Sequence, residues 1–496
     1  MRRIRIFERK ELSVMHLSVL REIGRELGVK MPTAIAKDKL VDTIMKIQRG
    51  ELDPVTPSKR GAPPKIKIDL SEFYETVSDG VYEDKNMYRL RGKERLPWAV
   101  ADTTVKNPDG TFTVEGVLET HYSGYGFLRV NNYENSAGDV YVSNQNIRKY
   151  NLRRGDKVQA LAKAVRDGDS AALQDVLSIN DLPASAFAER ANFDDFVPYY
   201  PTVRMRLERP SADNDLAVRC MDLFTPLGFG QRGLIVAPPK TGKTTLLKMI
   251  AQSIEFNYPE VKLIVLLIDE RPEEVTDIKR SVAAEVVYST FDENNQHHIR
   301  AAELVVSRAK RLVEVGKNVV ILMDSITRLA RAYNNATEGS GKTLSGGLDP
   351  LALEGPKNFF GAARNIEEGG SLTMIATVLV ETGSRMDDII FEEFKGTGNA
   401  EIKLDRALSE ARIFPAIDLA KSGTRHEELL LSPEECEGVA MVRRMLGQGH
   451  TREATGQLIG MLLKTEKNED FFKRLKEWLA IWEKEGYTIR SLRSGV

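Results

Sequence analysis

The run Ala237-Pro238-Pro239-Lys240-Thr241-Gly242-Lys243-Thr244 decides how this chain is read. It follows a short apolar segment, GLIVA (233–237), and leads into TTLLKMIAQSI (244–254), whose apolar residues recur at helical spacing. A strand, a tight loop and a helix in that order form a phosphate-binding loop. Backbone N–H groups at the helix start point at the anion, and the helix dipole favours negative charge there. Lys243 is then expected to meet the β and γ phosphates of ATP, and the Thr244 hydroxyl to ligate Mg2+. Pro238, Pro239, Lys240, Thr241, Gly242 and Thr245 complete the expected nucleotide-binding set. Ala237 stands where the general motif has its first glycine, and the two prolines stiffen the loop instead.

Working outward, VKLIVLLID (261–269), NVVILMD (318–324), SLTMIATVLV (371–380) and FPAID (414–418) are short apolar runs with helical segments between most of them. They read as buried parallel strands of a doubly wound α/β domain over residues 211–496. Asp324 ends its strand, where an open α/β sheet places ligand groups, and is expected to hold Mg2+ through water. A helix-capping aspartate is the rival reading. Glu270 follows another strand and is the expected general base that polarises the attacking water. Asp269 is the alternative base, and a plain surface loop accommodates both.

Residues 111–182 change to period-two patterns. TFTVEGVLET, GYGFLRV, DVYVS, KVQALAKAV and ALQDVLSI are five expected strands separated by turn residues, which suggests an OB-type barrel. Tyr125, Phe127 and Arg129 alternate along one strand and so share a face. Arg129 is expected to add a phosphate or stacking contact, Tyr141 to close that platform, and Asp139 to bond a base edge. Exposed aromatics on such a barrel stack the bases of single-stranded RNA. Core-filling rings are the alternative, but the valines and leucines of the other register already supply a core. Residues 183–210 form a Pro-marked connector. Residues 1–50 read as a small helical unit, with stripes at Leu12, Met15, Leu20, Ile23, Leu27 and from Lys39 to Ile47. Residues 51–110 read as a basic and charged linker.

At 496 residues the chain is long enough for several domains. Its 71 Lys+Arg against 72 Asp+Glu leave almost no overall field to attract a polyanion, so any nucleic acid it binds must be held by local grooves and stacking. The two cysteines, Cys220 and Cys436, exclude a disulfide scaffold and the usual zinc spacing. His297-His298 reads as a polar helix start. No apolar run approaches the ~20 residues that span a bilayer, and no signal-type apolar stretch follows MRRIRIFERKELSV. A cytoplasmic protein with no membrane partner is expected.

LLIDERPEEVTD, DSITRLARAYN, FFGAARN, ETGSRMD, EEFKGTGN and FPAIDLAKSGTRHEELL follow the phosphate loop in this order. From about residue 210 onward the chain resembles the ATPase half of the Rho family, the RecA-like hexameric helicases of bacterial transcription termination. The GYGFLRV barrel also resembles cold-shock RNA-binding strands. The resemblance implies a multi-domain α/β protein: a helical N-terminal unit, an OB-type barrel and a RecA-like ATPase. It implies an RNA-dependent ATPase and RNA–DNA helicase, working as a homohexamer on the RNA polymerase elongation complex. Arg425 would be the arginine finger offered to a neighbouring subunit, Arg412 a further phosphate sensor, and Phe414 the ring on adenine. Lys342 and Thr343 in GSGKTLSGG, with Thr382, Gly383 and Arg385 in ETGSRMD, would form two pore loops that grip RNA. Spacing alone reads Arg412 and Arg425 as salt-bridge residues, Phe414 as core, and the Gly-rich loop as a flexible connection. One departure bears on base preference: the family draws an acid and an aromatic from a barrel hairpin that here reads GDSAAL, with Gly168 and Ser170. Two other classes stay open, a RecA-like motor of the rotary ATP synthase type and a passive RNA-binding protein with a regulatory ATP site. RNA affinity separates the first, duplex unwinding the second.

Overall fold

The computed structural model describes residues 2–4, 20, 23, 29, 37–48, 74–76, 107, 110–164, 171–209, 215–337, 344–367, 369–446 and 451–484. The chain divides into two units, 1–92 and 93–496. In the first, β1 (Arg2–Ile4) pairs antiparallel with β2 (Tyr74–Thr76). Helix α1 (Lys37–Gln48) follows the second expected stripe and buries Leu40, Val41 and Ile44. Strand β2 falls inside the stretch read as linker, so that part of it belongs to a sheet. Of the first stripe only Leu20 and Ile23 are described, both buried. Leu12, Met15, Leu27 and most of the linker lie outside the described residues.

The second unit begins with a barrel. Its elements are β3 (Thr111–Thr120), β4 (Gly126–Arg129), β5 (Val140–Val142), α2 (Asn144–Lys149), β6 (Lys157–Ala164), β7 (Ala171–Ile179) and β8 (Leu182–Pro183). The strand order is β5-β4-β3-β6-β7-β8, and a β5–β7 pairing at Tyr141 and Ala172 closes it. All five expected strands are present. Leu118, Leu128, Val140, Val142, Val158 and Ile179 fill the core. Because side chains alternate along a strand, the same pleat leaves Phe127 half-buried and Tyr141 exposed.

A connector carries β9 (Pro198–Tyr199) and β10 (Arg204–Met205). Then come α3 (Leu216–Phe224), β11 (Leu227–Gly228), β12 (Arg232–Ala237), α4 (Lys243–Asn257), β13 (Lys262–Glu270), α5 (Pro272–Ser281) and β14 (Glu285–Thr290). They are followed by α6 (Asn295–Glu314), β15 (Asn318–Asp324), α7 (Ile326–Ala336), α8 (Glu354–Gly361), β16 (Arg364–Ile366) and β17 (Ser371–Leu379). The chain continues through α9 (Arg385–Lys395), β18 (Ala400–Lys403), α10 (Arg406–Glu410), β19 (Gly423–Thr424) and helices α11 (Pro433–Leu446), α12 (Thr451–Leu462) and α13 (Asn468–Lys484). The main sheet runs β14-β13-β15-β17-β12-β18-β19, and every pairing from β14 to β18 is parallel. Alternate residues of each strand serve two cores. Ile235, Val265, Leu267, Val320, Leu322 and Ile375 face one. Leu234, Val236, Ile264, Leu266, Ile321 and Met374 face the other. This is why the strands read as continuous apolar runs. One expected strand is absent. FPAID makes only an isolated bridge, Ile417 to Leu404, since Pro415 has no N–H to give a ladder. Its place in the parallel sheet is taken by β18, and β14 forms an edge that the sequence reading did not include.

The barrel is seated on that edge and on α6. The Asn132 carboxamide donates to Tyr288 O at 2.7 Å and accepts from Tyr288 N–H at 3.0 Å, so it covers the open side of β14. Tyr133 is buried and donates to Glu285. Burial, and then the Glu285 charge, push the Tyr133 phenol well above its usual range, which keeps it a donor. Arg300 of α6 closes on Glu119 of β3 at 2.8 Å, Arg154 meets Glu303 at 3.1 Å, and Arg308 donates to Asn180. Gly155, at φ +91°, lies so close to α6 that a Cβ there would stand 2.4 Å from the Ser307 carbonyl carbon.

Candidate functional site

Strand β12 delivers the chain to the phosphate loop and α4 carries it away. Between them Lys240 (φ 66°) and Gly242 (φ 90°) take left-handed conformations. A Cβ at Gly242 would meet nothing within 4 Å, so the glycine is required by its φ and not by crowding. The Thr241 hydroxyl donates to Pro238 O at 2.8 Å and fastens the loop across its base. The loop thus ends at the N-terminus of a 15-residue helix whose N-cap, Gly242, makes no side-chain capping bond, so its first N–H groups are offered to a ligand.

Lys243 Nζ donates to Asp324 Oδ2 at 2.6 Å and to Glu270 Oε1 at 3.1 Å. Asp324 and Glu270 are 0% and 2% exposed, so their charges need that ammonium. Both stand at the carboxyl edge of the sheet, at the ends of β15 and β13. Thr377 of β17, the strand between β15 and β12, donates to Asp324 Oδ1 at 2.7 Å. Glu270 is aimed by a register shift between Ile268 and Glu270, where Asp269 takes φ 57°. Such a bulge re-aims a side chain at a strand end. It turns Glu270 to Lys243 and leaves Asp269 against Arg328 of α7 at 3.4 Å, partly in solvent. Of the two candidate bases, geometry favours Glu270.

Burial raises the Glu270 carboxyl above its usual value and the Asp324 charge adds to this, while Lys243 and Arg328 only partly oppose it. For Lys243 burial pulls downward, but Asp324 and Glu270 outweigh it and the ammonium is held above its usual range. The Thr244 hydroxyl donates to Glu274 Oε2 at 3.3 Å. The donors offered to a cation are therefore oxygens, from Asp324 and Thr244. A sparse oxygen set suits Mg2+, which keeps several waters and takes phosphate oxygens as its other ligands.

Phe414 is 49% exposed and lines a pocket of about 260 Å³ with Thr241, Gly242, Thr245, Leu246 and Pro415. The fold thus brings it beside the phosphate loop. Arg412 is exposed, two residues away, with φ 59°. Arg425 is exposed on a separate polar pocket of about 570 Å³ with Lys421, Glu427 and Glu428, which shares no wall with the Phe414 pocket. Within one chain Arg425 is not part of the Lys243 cluster.

Thr382 donates to Asp387 Oδ2 at 2.6 Å, and Gly383 turns the loop at φ 80° into α9, which opens at Arg385. Arg331 of α7 holds both Asp387 oxygens, at 2.8 and 2.7 Å. Gly346 is pressed so close that a Cβ there would stand 2.9 Å from Met386 N. The two expected pore loops therefore touch. Lys342, Thr343, Gly168 and Ser170 lie outside the described residues.

On the barrel, the Tyr125, Phe127 and Tyr141 rings meet at 5.8–5.9 Å between centroids. The sequence reading gives Arg129 and Asp139 RNA contacts; in the structure the two side chains meet each other. Arg129 pairs with Asp139 and with Glu119 at 2.7 Å, and its side chain is 12% exposed. Asp139 is buried. Two charges this sheltered are held by each other. The sequence reading passed over Glu274, Thr377, Arg328, Arg331, Asp387, Glu119 and Arg300. Only Arg328 and Arg331 carried a signal, their i,i+3 spacing just after Asp324.

Residues 217–424 match the nucleotide-binding domain of the ATP synthase alpha/beta family. Residues 114–185 match the RNA-binding domain of Rho termination factor. The chain is 52% identical over 415 residues to transcription termination factor Rho of Bacillus subtilis, covering 83% of this chain and 95% of that one. It is 48% identical over 413 residues to Rho of Neisseria gonorrhoeae, covering 82% and 98%. Against Rho of Aquifex aeolicus it is 45% identical over 479 residues, covering 95% and 96%. With an ATPase core and an RNA-binding barrel joined in one chain, and identity of this order along most of its length, the protein belongs to the transcription termination factor Rho family.

Proposed function

We propose that this protein is an RNA-activated ATPase that terminates transcription by moving along nascent RNA as a homohexameric ring and unwinding RNA–DNA hybrids. The observation that carries the reading is the meeting of Lys243, Asp324 and Glu270 at the sheet edge, in a chain whose barrel bears an outward cluster of rings. Pro238 to Thr245 wrap the phosphates of ATP, Lys243 leaves its carboxylates for the β and γ oxygens, and Phe414 stacks on adenine. Thr244 and Asp324 would hold Mg2+. When bound, that ion neutralises charge on the transferring phosphoryl group. Glu270, freed from Lys243, takes the proton of the attacking water, a role suited to its raised pKa. Arg425 completes the site of the adjoining subunit, with Arg412 as a second sensor. Its separation from Lys243 within one chain supports a role in trans.

Tyr125, Phe127 and Tyr141 stack bases of single-stranded RNA, braced by the Arg129–Asp139 pair. Lys342, Thr343, Thr382, Gly383 and Arg385 line the pore. Asp387 and Arg331 tie the second loop to α7, which begins beside Asp324, so loop position follows nucleotide state. The partner is the RNA polymerase elongation complex in the cytoplasm. Among the described residues no helix is long and apolar enough to cross a membrane. The test is ATP hydrolysis with and without pyrimidine-rich single-stranded RNA. A strong rise is expected, and equal rates would sink RNA activation. Native mass measurement with RNA and an ATP analogue tests the ring.

A further inference from the structure

We propose that His121 and Tyr122, in the turn between β3 and β4, extend the barrel's stacking platform by one further nucleobase position. This rests on the RNA-binding reading of the barrel. The turn is closed by His121 N–H to Tyr125 O at 2.7 Å and Gly124 N–H to His121 O at 2.9 Å. Ser123 N–H donates to His121 Nδ1 at 3.3 Å, which fixes the imidazole's orientation. The ring so held lies flat on Tyr125, 4.6 Å between centroids and 20° between planes. Tyr122 adjoins the imidazole, 4.0 Å away and tilted by 39°. Tyr122, His121 and Tyr125 form one run of ring contacts, which continues through Tyr125 to Tyr141 and Phe127.

Tyr122 is 95% exposed, the highest value among the large apolar side chains described. A ring held in water contributes almost nothing to folding. Turn tips ordinarily take Gly, Asn, Asp or Ser. His121 already covers one face of Tyr125, so a base on that ring takes the other face. Tyr122 is then the next open aromatic surface of the same run. Its ligand is a base further along the same strand than the one on Tyr125, not the adjacent one, since the Tyr125–His121 and His121–Tyr122 spacings lie between them. Recognition by stacking is tolerant of base identity, because every base has a π face. The platform therefore gains grip rather than sequence reading.

The full chain is titrated with oligocytidylates of two to six nucleotides, intact or with an abasic residue at either end. Tyr122→Ala should weaken the longer RNAs about 5- to 50-fold and leave the shortest unchanged, while Tyr122→Phe binds as wild type. The salt dependence of binding should not change, since stacking releases no counterions. At the one end that reaches Tyr122, an abasic residue that weakens wild-type binding should cost the Tyr122→Ala variant nothing further, whereas at the other end it should weaken both. If Tyr122→Ala binds every length as wild type while Tyr125→Ala does not, the extension is wrong and the platform stands. If Tyr125→Ala also binds as wild type, the platform reading falls and the extension with it.

Discussion

Lys243 Nζ stands 2.6 Å from Asp324 Oδ2, so the ammonium proposed to meet phosphate is held by the carboxylate proposed to hold the metal. The two are 81 residues apart in sequence and meet because strand order 15-17-12 sets both at one edge of the sheet. On the proposed reading, nucleotide binding would exchange this pair for phosphate and Mg2+. The pair thus keeps two buried charges satisfied until the ligand replaces each partner.

Lys243→Ala should abolish RNA-stimulated hydrolysis, by at least about 100-fold, because the phosphate loses its main positive contact. RNA binding to the barrel should survive. Hydrolysis assays and RNA titration of one preparation check both halves, and retained turnover would count against the site.

Glu270→Gln should lower kcat about 10²- to 10⁴-fold with little change in ATP affinity. In the wild type the glutamate's pKa is raised, so the base is lost as pH falls through a value above the ordinary glutamate range. The acid limb of kcat should lie correspondingly high. A limb at the ordinary value, or one that persists in Glu270→Gln, would mean another group titrates.

Arg425→Ala should reduce hydrolysis on the order of 1,000-fold if it acts as an arginine finger. Mixing it with increasing amounts of Lys243→Ala tests where it acts. Interfaces that pair an intact Lys243 with an intact neighbouring Arg425 regain activity, whereas action within one chain gives none.

Asp387 is 1% exposed in its side chain and keeps only Thr382 if Arg331 is removed. Arg331→Ala should cost about 2 kcal/mol and uncouple hydrolysis from RNA. Chemical unfolding measures the first effect, and the ratio of RNA-stimulated to basal rate the second.

Glu119 tests the seat of the barrel. Burial tends to raise its carboxyl, but Arg300 and Arg129 outweigh that and hold it below the usual range. Its stabilisation is present above the unfolded-state pKa and is lost as pH falls through the lower folded value. Glu119→Gln should cost about 2 kcal/mol at neutral pH and flatten this acid limb. Unfolding curves from pH 3 to 7 decide it.

The phosphate loop was legible because its parts are adjacent: strand, left-handed glycine, lysine and helix lie within about twenty residues. The barrel's outward rings were legible because a pleat alternates. What failed was non-local. FPAID looks like its neighbouring strands in composition, and only its proline betrays it. The ion pairs of Arg129 and Glu119 were not legible because Asp139 and Glu119 each lie ten residues from Arg129, and Arg300 is 181 residues from Glu119. The ring cluster was read from Gly124 onward, so His121 and Tyr122 were passed over although they touch it.

The close approach at Gly155 has a mechanical meaning. A contact made by main chain on main chain has no rotamers to yield, and the ion pairs around it resist sliding. The barrel is thereby seated on the ATPase by backbone as well as by side chains. On the proposed reading, a shift of α6 during the ATPase cycle is expected to carry the barrel with it.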